Sequence, residues 1–227
     1  MIRISIAAMV FAGWCTGCHS VIVSEPPRTQ HYYINPQANF STVGRVALLE
    51  LENSSSQPDL AETMTDELAD ELGKRHLFSI RRVRRSEPLW NAHELDNLKS
   101  HTLEDLADAR RALNADAILF GDIRRYASFP HLQIGLNLRM IDTRSGHLIW
   151  AIEEIWDSSD KTLERRMKTY FRERLRGGYE PMDWHILTTS PRAFHQFVAY
   201  EVSQTLPDLP EKVVPRTVEY RRRYWVP

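Results

Sequence analysis

Leu132-Gln133-Ile134-Gly135-Leu136-Asn137-Leu138-Arg139-Met140 decides the fold. Apolar residues fall at every second position and polar or small residues fall between them. That period of two predicts a strand with one buried and one polar face. Asp142-Thr143-Arg144-Ser145-Gly146 follows with turn chemistry, and His147 to Trp156 returns as a second strand. The pair reads as an antiparallel hairpin.

Working outward, Ala117-Ile118-Leu119-Phe120-Gly121 begins a strand that runs towards Tyr126. Trp90 to Leu113 reads as mainly helical, with Thr102 as N-cap, Asp105 suited to the positive helix end, and Leu103, Leu106 and Leu113 as the core face. Further upstream, Val46-Ala47-Leu48-Leu49 is an apolar run suited to a buried strand. Asp59 is placed to cap a helix whose Leu60, Met64, Leu68 and Leu72 share one face, with acidic residues elsewhere. Gly73 closes that helix, and Leu77 to Val83 reads as the next strand.

Beyond the hairpin, Leu163, Met167, Tyr170, Phe171 and Leu175 mark one helix. Ser190-Pro191 opens another, with Phe194, Phe197, Val198, Val202 and Leu206 as its stripe. The expected fold is therefore α/β (α+β): a single mixed sheet from a βαβαβββ order, helices mainly on one face, plus two C-terminal helices.

The first eighteen residues are Met-Ile-Arg-Ile-Ser-Ile-Ala-Ala-Met-Val-Phe-Ala-Gly-Trp-Cys-Thr-Gly-Cys. A single charge, Arg3, precedes a mostly apolar stretch too short to span a bilayer, which is the layout of a bacterial signal peptide. A buried N-terminal strand or helix is the alternative. Thr16-Gly17-Cys18 resembles a lipobox, where the chain is cut before a cysteine that then carries a lipid. Cys15 stands where that motif usually has Leu. Plain secretion with cleavage elsewhere is the competing reading. Cys15 and Cys18 are the only cysteines, so a secreted domain would rest on its apolar core without disulfides. The expected organisation is residues 1–17 as signal peptide, 18–42 as lipidated N-terminus and tether, 43–206 as the mixed domain, and 207–227 as a Pro-punctuated arm; the alternative for Tyr32-Tyr33-Ile34 is that it packs on the domain.

Three passages resemble one family. Val46-Ala47-Leu48-Leu49-Glu50-Leu51-Glu52-Asn53 is similar to its apolar strand ending in "P-F-x-N". Leu113-Asn114-Ala115-Asp116-Ala117-Ile118-Leu119-Phe120-Gly121 is similar to its "L-G-A-D-x-(apolar)-G" segment. Leu138 to Trp150 looks like its "L-x-(apolar)-x-D-x-x-T-G-x-I-W" hairpin. The resemblance, over roughly residues 43–156, is to bacterial envelope lipoproteins of the curli-secretion CsgG type, the synthase activator LpoB and the N-terminal domain of TolB. It implies an envelope location and a protein-interaction role, carried by motifs that are structural. A pore would need further alternating hairpins of about 9–11 residues per strand, and Leu132–Met140 already belongs to the sheet.

The chemistry candidates are few. The nine histidines include no i, i+4 pair and no metal is expected. His93-Glu94 and Glu153-Glu154 with Asp157 read as solvated charge, and no nucleophile elbow or phosphate loop is present. Neither a catalytic residue nor a cofactor is expected. Lys+Arg is 29 and Asp+Glu is 30, a balance that argues against a nucleic-acid coat. Arg81-Arg82-Val83-Arg84-Arg85 is a local basic run. Tyr220, Arg221, Arg222, Arg223, Tyr224 and Trp225 form an Arg/aromatic arm of interface composition.

The sequence thus points to a non-enzymatic lipoprotein anchored through Cys18 and binding an envelope protein. His19 and Ser20 after the cysteine, without an Asp, favour the outer membrane and a periplasm-facing domain. The alternatives are an oligomeric secretion-channel or scaffold subunit, an envelope enzyme with an unrecognised site, and a cytoplasmic nucleic-acid binder if the N-terminus is no signal.

Overall fold

A computed structural model of the chain describes residues 31–93, 95, 102–175 and 183–208. Seven strands form one mixed sheet: β1 (Tyr32–Ile34), β2 (Arg45–Leu49), β3 (Glu52–Asn53), β4 (Ser79–Val83), β5 (Ala117–Ala127), β6 (Gln133–Asp142) and β7 (Leu148–Asp157). The order across the sheet is β1-β7-β6-β5-β2-β4, with β3 also paired to β5. β2 runs parallel to β4 and β5, whereas β5, β6, β7 and β1 pair antiparallel. The expected hairpin is β6–β7, with Leu138 opposite Ile152 and Met140 opposite Trp150.

The helices are α1 (Leu60–Gly73), α2 (Pro88–Ala92), α3 (Leu103–Leu113), α4 (Lys161–Tyr170) continued by a π-helical turn (Phe171–Leu175), α5 (Ile186–Thr189) and α6 (Pro191–Ser203). Alternate strand residues feed two cores. Val46, Leu48, Leu119, Leu138, Met140 and Trp150 pack with α1, α4, α5 and α6. Ala47, Leu49, Ile118 and Ile141 pack with Trp90 of α2 and Leu106 and Leu113 of α3. The helices therefore lie mainly on one face, with α2 and α3 on the other. Each fully buried large apolar side chain contributes roughly 1.5–3 kcal/mol. Trp150 is also fixed through its ring, whose Nε1 donates to Thr205 Oγ1 at 3.1 Å after α6.

The family-like passages are residues that build turns and joints. Asn53 Oδ1 accepts from the Ser55 amide. Asn114 ends α3 in the left-handed conformation, φ 51°. The Asp116 carboxylate accepts from the Arg45 amide at 3.0 Å and from Arg144 Nη2 at 3.2 Å, joining β2 to the hairpin turn. Asp142 Oδ1 accepts from the Arg144 and Ser145 amides.

Several expectations change. The tether does not extend to residue 42: β1 pairs with β7, and Phe40 and Val43 are buried. A three-residue edge strand has too little alternation to be seen in sequence, and it exists because β7 offers it an unpaired edge. Asp59 makes no side-chain cap bond, since its own backbone is already helical there. Leu103 is 64% exposed, because it is the first helical residue and precedes the turn that meets the sheet. The Trp90–Leu113 stretch divides into α2 and α3, and β4, expected from Leu77, begins at Ser79. Two features stand as read. Thr102 and Asp105 form a reciprocal capping box. Ser190 caps α6, with Pro191 at its first position.

Candidate functional site

Two surfaces carry unusual groups. The first is the sheet face opposite α1, α4 and α6, beyond the patch that α2 and α3 cover. Along β5, β6 and β7 the cross-strand register places Asp122 opposite Asn137, Arg125 opposite Gly135, and Arg139 opposite Ala151. Asn137 Nδ2 donates to Asp122 Oδ1, and Arg124 reaches both Asp122 and Glu153. Ile155, 54% exposed, and Tyr33, 46% exposed, lie among these charges. At the β5–β6 connection Phe129 is 85% exposed. Exposed aromatics beside arginines are the residue types enriched at interfaces.

The second surface is a groove of about 740 Å³ between α1, the π-helical turn and α6, lined by Glu67, Asp70, Glu71, Tyr170, Arg174 and Gln196 among others. Glu67 and Glu71 stand one turn apart, at the border of the α1 apolar stripe. The Glu67 side chain is 16% exposed, and its nearest polar neighbours are Gln196 Nε2 at 3.4 Å and Arg192 Nε at 4.0 Å. Burial, only partly offset by Gln196 and Arg192, lifts the Glu67 carboxyl above the usual range. Glu71 pairs with Lys74 at 2.5 Å. Tyr170 is buried, and burial raises its hydroxyl well above the ordinary phenol value, with Glu71 and Glu67 adding to the effect. Sequence inspection missed this site. The available signal was the i, i+4 pair of glutamates flanking an apolar stripe.

The residues singled out from sequence divide clearly. Cys18, Glu94 and the arm Tyr220, Arg221, Arg222, Arg223, Tyr224 and Trp225 lie outside the described residues. The Arg81–Arg85 run is not a bare cationic strip. Arg84 holds Asp66 at 2.8 and 2.9 Å and Glu62 at 2.5 Å, and Arg82 reaches Asp66 and Asp70. Arg81 meets Glu87, and Arg85 lies 4.6 Å over the Trp90 ring. The acidic side of α1 thus pairs with Arg82 and Arg84, and Glu87 with Arg81. Glu153 pairs with Arg124, Glu154 with His31, and Asp157 accepts from Ser159 and Gln133.

Two carboxylate–imidazole pairs occur, His31–Glu154 and Asp183–His185, both at 2.8 Å. Among the described residues neither imidazole hydrogen-bonds to a hydroxyl or thiol, and no three His, Cys, Asp or Glu side chains converge to hold a metal. No described helix is long and apolar enough to cross a membrane.

No protein-family model matches the chain, and no curated protein does. Similar solved structures include the PelC dodecamer of Paraburkholderia phytofirmans, at 16% identity over 60% of this chain and 86% of that one, TM-score 0.41. Lipoprotein GNA1162 from Neisseria meningitidis is similar at 12% identity over 60% and 98%, TM-score 0.41. The C-terminal domain of LpoB from Escherichia coli is similar at 18% identity over 52% and 87%, TM-score 0.37. LpoB was one of the three resemblances drawn from sequence. At these scores the likeness assigns neither family nor activity.

Proposed function

We propose that the protein is a lipoprotein of the bacterial cell envelope, anchored through Cys18, whose folded domain binds another envelope protein and catalyses nothing. The observation that carries this reading is Thr16-Gly17-Cys18 after a short apolar run with one leading charge. The anchor would sit close to the domain. Residues 19–30 separate Cys18 from the start of the described fold. They reach roughly 40 Å fully extended and roughly 20 Å as a coil. The domain is held near the outer membrane on its periplasmic side. The sheet face around Arg124, Arg139, Glu153 and Ile155 and the arm of residues 220–225 offer the docking surface.

The test is Cys18→Ser in the full chain, expressed in a Gram-negative host and fractionated. The variant is expected to leave the membrane fraction while the wild-type chain stays in it. Equal membrane retention of both would overturn the anchor. Crosslinking on intact cells should then capture an envelope protein through Ile155 or Tyr33.

A second reading, a homo-oligomeric scaffold, is favoured by one observation: β1 and β4 end the sheet, each with one side unpaired among the described strands. A mass that stays monomeric across concentration in detergent would remove it.

A further inference from the structure

The described chain ends beside the helical groove. Asp208 is held by Arg75 Nη2 at 2.6 Å and lines a second hollow of about 390 Å³. That hollow shares Glu71, Lys74 and Arg174 with the larger groove, so the two adjoin. Residues 209–227 therefore leave from one end of it. They carry Lys212, Arg216, Arg221, Arg222 and Arg223 against only Glu211 and Glu219, with Tyr220, Tyr224 and Trp225 interleaved.

The groove has what such a segment needs. Lys74 and Arg174 also line it, and Lys74 already holds Glu71. Glu67 has no close cationic partner: its nearest is the mostly exposed Arg192, at 4.0 Å. The Tyr170 hydroxyl hydrogen-bonds to no described residue, and Tyr170, its ring packed against Phe197 and Tyr200, lines the groove at the same place. A guanidinium suits this place, since its fork of N–H donors can serve a carboxylate and a phenol oxygen at once. Reach is ample, because the stretch from Asp208 to Arg221 extends to roughly 40 Å.

We propose that the C-terminal segment of this chain docks in cis into the groove between α1 and the π-helical turn, setting an arginine of Arg221–Arg223 on Glu67 beside Tyr170. The groove is then an intramolecular receptor for the arm, and a partner that takes the arm must first displace it. This goes beyond the proposed function and requires neither acylation nor a partner.

The test uses the full chain purified in detergent, with benzoylphenylalanine replacing Tyr224. Irradiation is expected to give an intrachain crosslink, independent of protein concentration, to peptides spanning 67–74 or 170–175. The yield should fall at least five-fold in the triple variant Arg221→Ala, Arg222→Ala, Arg223→Ala, which leaves the folded core untouched, and likewise in Glu67→Gln. Crosslinks elsewhere in the chain, crosslinks to a second copy, or none would each overturn the proposal.

Discussion

His195 lies on α6 with its ring tilted against Tyr126 at 5.7 Å, and neither ring nitrogen has a partner among the described residues. Burial lowers its pKa to about 4 from the usual 6.5. A histidine depressed in this way binds fewer protons folded than unfolded. Its contribution to stability is full above about pH 6.5 and is lost as pH falls towards 4, by up to roughly 3 kcal/mol. His195→Phe should therefore flatten the fall in Tm between pH 6.5 and 4.5, measured against wild type. An unchanged slope would place the acid sensitivity elsewhere. Arg166 and Glu201 make a second case at this scale, a pair 2.9 Å apart with both side chains about nine-tenths buried. Breaking such a pair strands a buried charge, so Arg166→Met should cost about 3–5 kcal/mol in urea unfolding. Exchanging both partners for apolar residues should cost much less.

At the scale of elements, Gly121 is fixed by the approach of β5 to β6. A Cβ there would lie 2.1 Å from the Asn137 carbonyl oxygen and 2.9 Å from Leu138 Cα, both backbone atoms that cannot rotate away. Gly121→Ala should destabilise the domain by roughly 3 kcal/mol in urea titration. A loss below about 0.5 kcal/mol would mean the strands part without cost. Gly121 closes the family-like segment Leu113–Gly121, and the reason for a glycine there is steric.

The β6–β7 hairpin, the parallel β2–β4 pair with α1 between, and the capped α3 and α6 were legible because each rests on local periodicity or local cap chemistry. β1 was not, because three residues become a strand only through the distant edge of β7. Leu103 misled for a related reason. The stripe it shares with Leu106 and Leu113 is correct in spacing, but the first residue of a helix reaches past the surface the helix covers. The groove was illegible because Glu67 and Tyr170 are 103 positions apart and meet only through packing of α1 against α4 and α6. The Arg81–Arg85 run was visible, yet its pairing with Glu62, Asp66 and Asp70 required α1 to pack alongside β4, and only Glu87 is a local partner.

At the scale of the whole molecule, the sheet carries α1, α4, α5 and α6 on one side, and on the other leaves a charged, partly apolar face beyond the patch that α2 and α3 cover. Both ends of the chain bear on how that face is used. The N-terminal connection is short, so an acylated Cys18 would confine the domain to within about its own diameter of the membrane surface. The C-terminal arm starts at the groove, on the helical side. A partner at the open sheet face and an arm held in the groove would thus occupy opposite sides of the sheet, so a variant of the open face should leave the docking of the arm intact. Ile155→Asp should weaken partner crosslinking at least several-fold while leaving the intrachain crosslink from position 224 unchanged. Coupled loss of both would show that the two surfaces are one.

The most direct measurement is the intact mass of the N-terminal peptide of the protein extracted from bacterial membranes. The expected result is a peptide that begins at Cys18 and carries added acyl mass. A peptide that begins at Met1, or at another residue with no acyl mass on Cys18, would contradict it.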